Sequence, residues 1–296
     1  MNRPQPQWVF IVCAARSGSS YLRSLLAESP EFAVVPYDVN FVWRRGQEWS
    51  RYDVLTDYVK QSDGRSIRRR LTELSGWSRS EQARFILEKT VSSSLRVPFV
   101  ESLFPEARFV HLLRDGRAVV ESARRMWLRP PQPGYLFRKS FVFHWSDWRY
   151  GAWFAANQLR RLRPGSGTRS IWGPRYPGID DDLRRMDLES VCARQWVECV
   201  SRASAAFDSM ATDRVTTVRY EDLAGSSTAL AGVCRFIGVT DPAPVLAAHA
   251  RTTVTSKLDG WRSRLSVADL EKVEETAGPW LRHLGYPTSE GTGPAQ

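Results

Sequence analysis

Residues 8–26 read WVFIVCAARSGSSYLRSLL. The first eight, Trp8 to Ala15, form a short continuous apolar run, β-branched in part, which is the pattern of a buried strand. ARSGSS follows as a turn of small residues, and SSYLRSLLAES has the spacing of a helix that stops near Pro30. Strand, small-residue turn and helix together make a phosphate cradle, because backbone N–H groups at a helix N-terminus carry partial positive charge. Gly18 lets the backbone come close to an anion. Ser17, Ser19 and Ser20 add hydroxyl donors, and Arg16 adds a planar cationic fork. The loop lacks the GxxxxGK[ST] wording, having no lysine before the serines, which disfavours an ATP-using kinase. The same turn could also serve as an ordinary helix cap.

Outward from this stretch the rhythm repeats. EFAVVP, ARFILEKT, ARFVHLL and RVTTVRYEDL read as strands. SSSLRVPFVESLFP, RAVVESARRMWL, CARQWVECVSRASAAF and TALAGVCRFIGV read as helices, residues 50–85 have helical spacing, and a loop precedes a last amphipathic helix. Strands alternating with helices predict a parallel sheet covered on both faces, an α/β fold of three layers. Residues 127–190 break the alternation with PPQPG, GSGTR and WGPRYPG. Trp127, Trp145, Trp148, Trp153, Trp172, Tyr135, Tyr150 and Tyr176 lie there among many arginines, an aromatic insertion on the core. We therefore expect one domain over residues 1–287 and a tail over 288–296.

Composition narrows the function. The 296 residues suit one large domain or two small ones. With 42% hydrophobic and 25% charged residues the chain is neither disordered, collagenous nor a coiled coil. Lys+Arg 42 against Asp+Glu 32 leaves +10, which points to an anionic partner or to plain solubility charge. The four cysteines, Cys13, Cys192, Cys199 and Cys234, form no CxxC and no zinc spacing, so they read as small buried hydrophobes. The one early apolar run is too short to span a membrane, and a cytoplasmic protein is expected.

A second anion site is written in FVHLLRDGRAVVESARR. Arg114 ends a strand, Asp115-Gly116 make the turn, and Ser122 lies 122 − 114 = 8 residues on, near enough to Arg114 to share one phosphate. Two anion sites at the carboxyl ends of neighbouring strands are where open α/β sheets bind nucleotides.

These residues resemble the sulfotransferases that use 3′-phosphoadenosine 5′-phosphosulfate (PAPS). ARSGSSYLRSLL resembles their 5′-phosphosulfate loop, LLRDGRAVVESA their 3′-phosphate motif, and VRYEDL with a helix ending in FIGV their late segment. The motifs stand in family order over most of residues 8–265. The first loop is closest to the tyrosylprotein and carbohydrate branches, and the PKSGTTW of the phenol and steroid branch is absent. The resemblance implies a P-loop-like fold, PAPS as donor, 3′,5′-bisphosphoadenosine (PAP) as product, and no metal. It implies that Arg16 and Ser17–Ser20 hold the 5′-phosphate and sulfuryl group. Arg114 and Ser122 would hold the 3′-phosphate, and Tyr220 would contact the adenine. Ser256, Lys257 and Arg262 are candidates for the closing late loop, although TVTSKLDGWRSRL departs from RKGxxGxWK.

Sulfuryl transfer, like phosphoryl transfer, is an in-line attack that shifts charge to the leaving oxygen, so cations there supply much of the rate. Arg16 and Lys89 of LEKT are the candidates. A hydroxyl acceptor benefits from a general base. The matching branches carry an acidic residue on the second strand, which corresponds to Asp38, 38 − 16 = 22 residues past Arg16. Glu88 and His144 are reserves, and His111 sits in a buried strand. The aromatic insertion would receive the acceptor, a small molecule or glycan with a free hydroxyl on a carbohydrate, glycolipid or secondary metabolite. A homodimer is left open, and no nucleic-acid partner is expected. The rivals are a P-loop kinase acting on a small molecule and a non-enzymatic polyanion-binding module. The second leaves the paired anion motifs unexplained.

Overall fold

A computed structural model of the chain describes residues 4–45, 52–55, 61–129, 171–252 and 258–288. Five parallel strands form the centre, in the order β2-β3-β1-β4-β5: β1 Gln7–Val12, β2 Phe32–Val34, β3 Phe85–Glu88, β4 Arg108–Leu113 and β5 Val215–Arg219. Val9 of β1 lies opposite Leu87 on one side and Arg108 on the other. This is the parallel sheet that the alternating pattern predicts.

The period of two along β1 assigns the faces. Trp8, Phe10 and Val12 pack into one core with Trp43, Phe99, Phe104 and Phe109. The ring centroids of Trp8 and Phe104 are 4.5 Å apart, and those of Phe10 and Phe104 5.0 Å. Val9, Ile11 and Cys13 pack on the other side against Leu22 and Leu26 of α1 (Ser19–Leu26) and against Leu230 and Val233. Helices α2 (Asn40–Trp43), α3 (Gln61–Ser75) and α4 (Val97–Leu103) carry residues of the first core. A third core joins α5 (Gly116–Leu128), α6 (Ile179–Arg185) and α7 (Leu188–Asp208). There Cys192 and Cys199 are both buried, as expected of small hydrophobes. Helices α8 (Tyr220–Gly225), α9 (Ser227–Ile237), α10 (Ala243–Arg251) and α11 (Val267–His283) complete the described chain.

Three details depart from the sequence reading. The helix expected over SSSLRVPFVESLFP is a 3-10 turn, Val91–Leu95, followed by α4. Pro98 has no N–H to give the carbonyl of Ser94, so one continuous helix cannot run through it. Residues 243–251, expected as loop, form α10, started by Pro242 and anchored by buried Val245 and Ala248. The interrupted region from 127 to 190 holds ordered elements at both ends: Trp127 is buried in α5, and Tyr176 is buried beside α6 and donates to Asp182 Oδ2 at 2.7 Å. Tyr176 is thus a core residue. Trp145, Trp148, Trp153, Tyr135, Tyr150 and His144 lie outside the described residues, as does all but Thr288 of the expected tail.

Because β1 sits between β3 and β4, the carboxyl ends of three neighbouring strands release their loops side by side. The residues after Val12, Glu88 and Leu113 therefore meet at one edge, the place where an α/β sheet forms a crevice.

Candidate active site

The loop after β1 is bent to receive an anion. Ser17 N–H donates to Ala14 O at 3.3 Å, and Arg16 and Gly18 both take positive φ, 71° and 94°. Gly18 is the N-cap of α1, and no side chain caps the helix, so its first N–H groups are not spent on a local acceptor. Ser17 is 1% exposed, and its hydroxyl has no hydrogen-bond partner among the described residues. A Cβ at position 18 would collide with the Tyr220 ring, so only glycine permits this approach.

The β4–α5 turn meets that loop directly. Asp115 caps α5 by accepting from Arg117 N–H at 2.9 Å. Arg114 donates to the Arg16 carbonyl at 3.0 Å, and its guanidinium lies 4.4 Å over the Tyr220 ring. Arg16 Nε donates to Ser122 Oγ at 2.9 Å. The two segments thus form one site. The Arg16 side chain, read from sequence as a 5′-side cation, stands beside the serine read as a 3′-phosphate ligand. Burial, then the neighbouring Arg114 and Arg125, push the Arg16 guanidinium below its ordinary pKa. Such crowding of cations is relieved by an anion.

Arg125, Glu121 and Arg264 also line this end, and sequence reading did not single them out. Arg125 stands three residues past Ser122, hence on the same helix face, and that spacing was the available signal. Glu121 pairs with Arg125 at 2.9 Å and with Arg264 at 2.8 Å. Arg264 supplies a late-segment cation to the cavity. Arg262 turns instead to Asp259 at 3.2 Å and is not among the lining residues. Ser256 and Lys257 lie outside the described residues.

Across the cavity stands the second chemical group. Lys89 Nζ lies 2.9 Å from Asp38 Oδ1, with the lysine side chain 6% exposed and the aspartate 34%. Val91 N–H also donates to Asp38 Oδ1, at 3.2 Å. Glu88 points to the opposite side of β3. It is fully buried, accepts from Thr90 Oγ1 and from Trp43 Nε1, and does not line the cavity. Burial, with the nearby Asp38 charge, raises its carboxyl to about 7 against the hydrogen bond from Thr90. His111 is buried against Phe207, and burial holds its imidazole down to about 4. Thr90 Oγ1 accepts from Val39 N–H at 3.0 Å, so Glu88 supports the loop carrying Asp38.

A cavity of about 510 Å³ has Arg16, Gly18, Ser19, Ser20, Arg114, Ser122 and Tyr220 at its wall together with Asp38, Lys89 and Trp172, whereas Ser17 is buried behind it. Its cations are ready for a polyanion and its carboxylate–ammonium pair for proton and charge transfer. Among the described residues no cluster of three or more His, Cys, Asp or Glu could hold a metal ion. Also among them, no helix is long and apolar enough to cross a membrane.

A parallel sheet with an uncapped glycine-serine turn and arginines at its carboxyl edge is a P-loop-like arrangement suited to holding an anionic group. The family model of the sulfotransferase family matches residues 6–165, more than half of the chain, and the chain belongs to that family. It is a sulfotransferase, moving a sulfuryl group from a sulfonate donor. Among solved structures it is similar to the sulfotransferase domain from the curacin biosynthetic pathway, with 15% identity, a TM-score of 0.53, and coverage of 97% of this chain and 100% of that one. It is also similar to the sulfotransferase domain of the Synechococcus PCC 7002 olefin synthase, with 18% identity, a TM-score of 0.51, and coverage of 95% and 96%. For sulfotransferase STF9 from Mycobacterium avium the values are 11%, 0.53, 97% and 79%. At such identities these likenesses concern the fold. Comparison with curated proteins gives no significant match.

Proposed function

We propose that this sulfotransferase takes PAPS as donor and passes its sulfuryl group to a hydroxyl of a carbohydrate, glycolipid or secondary metabolite by in-line displacement. The observation that carries the reading is one cavity with an arginine-rich end at Arg16, Arg114 and Ser122 and an Asp38–Lys89 pair at the other. PAPS supplies an activated sulfuryl group on a phosphate oxygen, flanked by a second phosphate at the 3′ position. The N–H groups at the start of α1 and the hydroxyls of Ser19 and Ser20 bind the 5′ side, with Ser17 buried behind the loop. Arg114, Arg16 and Ser122 bind the 3′-phosphate, and Tyr220 borders the adenine. Lys89, nearly buried, faces the leaving oxygen, where a cation is worth most because water is excluded. Both described bonds to Asp38 fall on Oδ1, and Oδ2 is the oxygen assigned to take the acceptor proton. We place all of this in one domain, residues 1–287, with residues 127–190 bordering the acceptor and 288–296 as a tail, in a cytoplasmic enzyme. Homodimerisation remains a proposal to be read by sedimentation.

The deciding experiment is a thermal melt with PAP and, separately, with ATP and Mg²⁺. PAP at one hundred times its dissociation constant adds about 2.7 kcal/mol and raises the melting temperature visibly. ATP with Mg²⁺ is expected to do nothing comparable. No shift at millimolar PAP refutes the donor assignment.

A further inference from the structure

Among the described residues Trp172 is the one ring on the cavity wall other than Tyr220, and the segment carrying it is fastened by two buried polar groups. Gln195 of α7 is 4% exposed, and its Nε2 donates to the carbonyls of Trp172 at 2.9 Å and Pro174 at 2.8 Å. Between them Gly173 takes φ 81°, and a Cβ there would press on the Gln195 amide at 3.2 Å. The next residue is clasped by Asp53, which is 2% exposed. Asp53 N–H donates to Arg175 O at 2.7 Å, and Arg175 N–H donates to Asp53 Oδ2 at 2.8 Å.

Asp53 itself is immobilised. Its carboxylate accepts from Asn40 Nδ2 at 2.7 Å, Arg44 at 2.7 Å and Ser92 Oγ at 3.0 Å. Burial opposes its charge, but the charges of Arg44 and Arg96 together with the hydrogen bonds from Arg44 and Asn40 hold the carboxyl below its ordinary pKa. Ser92 adjoins Val91, whose N–H binds Asp38. A continuous set of bonds thus links the backbone of the Trp172 segment to the loop that carries the proposed base, and Trp172, Asp38 and Lys89 line the same cavity. A segment merely crossing the surface has no need of a buried carboxylate and a buried amide to fix its path, since water satisfies such backbone.

We propose that Trp172 is a rigid platform for the ring that bears the acceptor hydroxyl, and that Gln195 and Asp53 are positioning residues that hold it. This rests on the acceptor reading above. The ligand chemistry is a flat C–H or π face, which an aromatic ring and the apolar face of a sugar both offer to an indole. Fixing the indole beforehand removes the ordering cost when the acceptor binds. The pinned backbone sets the distance between ring and Asp38.

The test uses the full chain saturated with PAP, titrated with 2-naphthol and with methyl β-D-galactoside and read by saturation-transfer NMR. Whichever ring binds identifies the aromatic or the sugar source. Trp172→Ala is expected to weaken that ring about tenfold while PAP affinity stays within about twofold. Trp172→Phe, which keeps a flat face, restores most of the loss. Gln195→Leu keeps the indole but removes both carbonyl anchors. It is expected to weaken the ring by roughly three- to tenfold and to speed amide exchange at Arg175, again with PAP affinity unchanged. Equal ring binding by wild type and Trp172→Ala overturns the platform, as does wild type binding neither ring at millimolar concentration. Unchanged exchange in Gln195→Leu overturns the positioning role. Failure of wild type to bind PAP refutes the donor reading instead, and the ring titrations without PAP still decide the platform.

Discussion

Replacing Glu88 by Gln probes the support of the proposed base without touching the cavity. Glu88 is buried beneath the Asp38 loop, and its Oε2 has no hydrogen-bond partner among the described residues. Burial first, and the Asp38 charge after it, raise the carboxyl from 4.5 to about 7, against the pull of Thr90, Trp43 and Arg96. Between these values the folded state binds more protons than the unfolded one. Stability contributed by Glu88 is therefore complete below 4.5 and is lost as pH rises through 7. At about 1.4 kcal/mol per pK step the loss is on the order of 3 kcal/mol. His111 acts in the opposite direction, since its lowered value of about 4 makes stability fall as pH drops below 6.5. The two slopes offset each other between about 4.5 and 6.5. In Glu88→Gln the amide oxygen can still accept from Thr90 and Trp43, while an amide N–H₂ left unpaired costs about 1–3 kcal/mol at every pH. Urea unfolding at pH 5 and pH 8 reads the difference. The variant should be clearly weaker than wild type at pH 5 and should regain on the order of 3 kcal/mol relative to it by pH 8. Asp38→Asn, by removing the neighbouring charge, should shift the wild-type slope to lower pH. Parallel pH curves for wild type and Glu88→Gln would refute the reasoning and require Glu88 to be ionised throughout.

Arg114→Ala should weaken PAP binding by about 1.5–3 kcal/mol in a calorimetric titration, the worth of a charge-assisted hydrogen bond. Adenosine 5′-phosphosulfate, which lacks the 3′-phosphate, should change little, and an equal loss for both would make Arg114 structural. Asp38→Asn should keep PAP affinity and cut turnover with radiolabelled PAPS by roughly 10²–10⁴-fold once an acceptor is found among sugars and metabolites. If His144→Ala loses turnover while Asp38→Asn keeps it, the base is reassigned.

The strands were legible because each combines a short apolar run with the turn that ends it. Val9, Ile11 and Cys13 alternate with Trp8, Phe10 and Val12 between two cores, as a fully buried strand requires. Arg16, Gly18 and Arg114 could be gathered from sequence because each follows a strand end, Ser122 by its spacing of eight from Arg114, and Tyr220 only through the family resemblance. Arg264 and Glu121 could not, since their ion pair joins residues 143 apart, 264 − 121, and depends on how α5 meets the segment before α11. Asp53 was invisible for the same reason: its partners Asn40, Ser92 and Arg175 belong to three separate segments. Helix α10 was hidden by the prolines at 242 and 244, which read as loop punctuation although proline suits a first helical turn. Arg16 shows the limit of a motif, because sequence places its Cα at the phosphate loop but not the Ser122 hydroxyl that its long side chain reaches.

The late RYEDL segment explains why motifs so far apart belong together. The Tyr220 ring fills the space that Gly18 leaves by lacking a Cβ, and Arg114 lies on that same ring. Glu221 then accepts from Asp115 N–H at 3.0 Å through one oxygen and from the Tyr286 hydroxyl at 3.3 Å through the other. Arg219 donates to the carbonyl of Leu284 and lies 4.8 Å over the Tyr286 ring. A single strand-to-helix corner therefore fixes the first anion loop, the second anion loop and the end of α11. None of its three consecutive side chains, Arg219, Tyr220 and Glu221, needs to touch a reacting atom for the site to depend on it. Tyr286→Phe, which keeps the ring in the third core and removes only the hydroxyl, should be felt at Arg114 through Glu221 and Asp115, because the link is made of directional hydrogen bonds that lose most of their worth when the angle is lost.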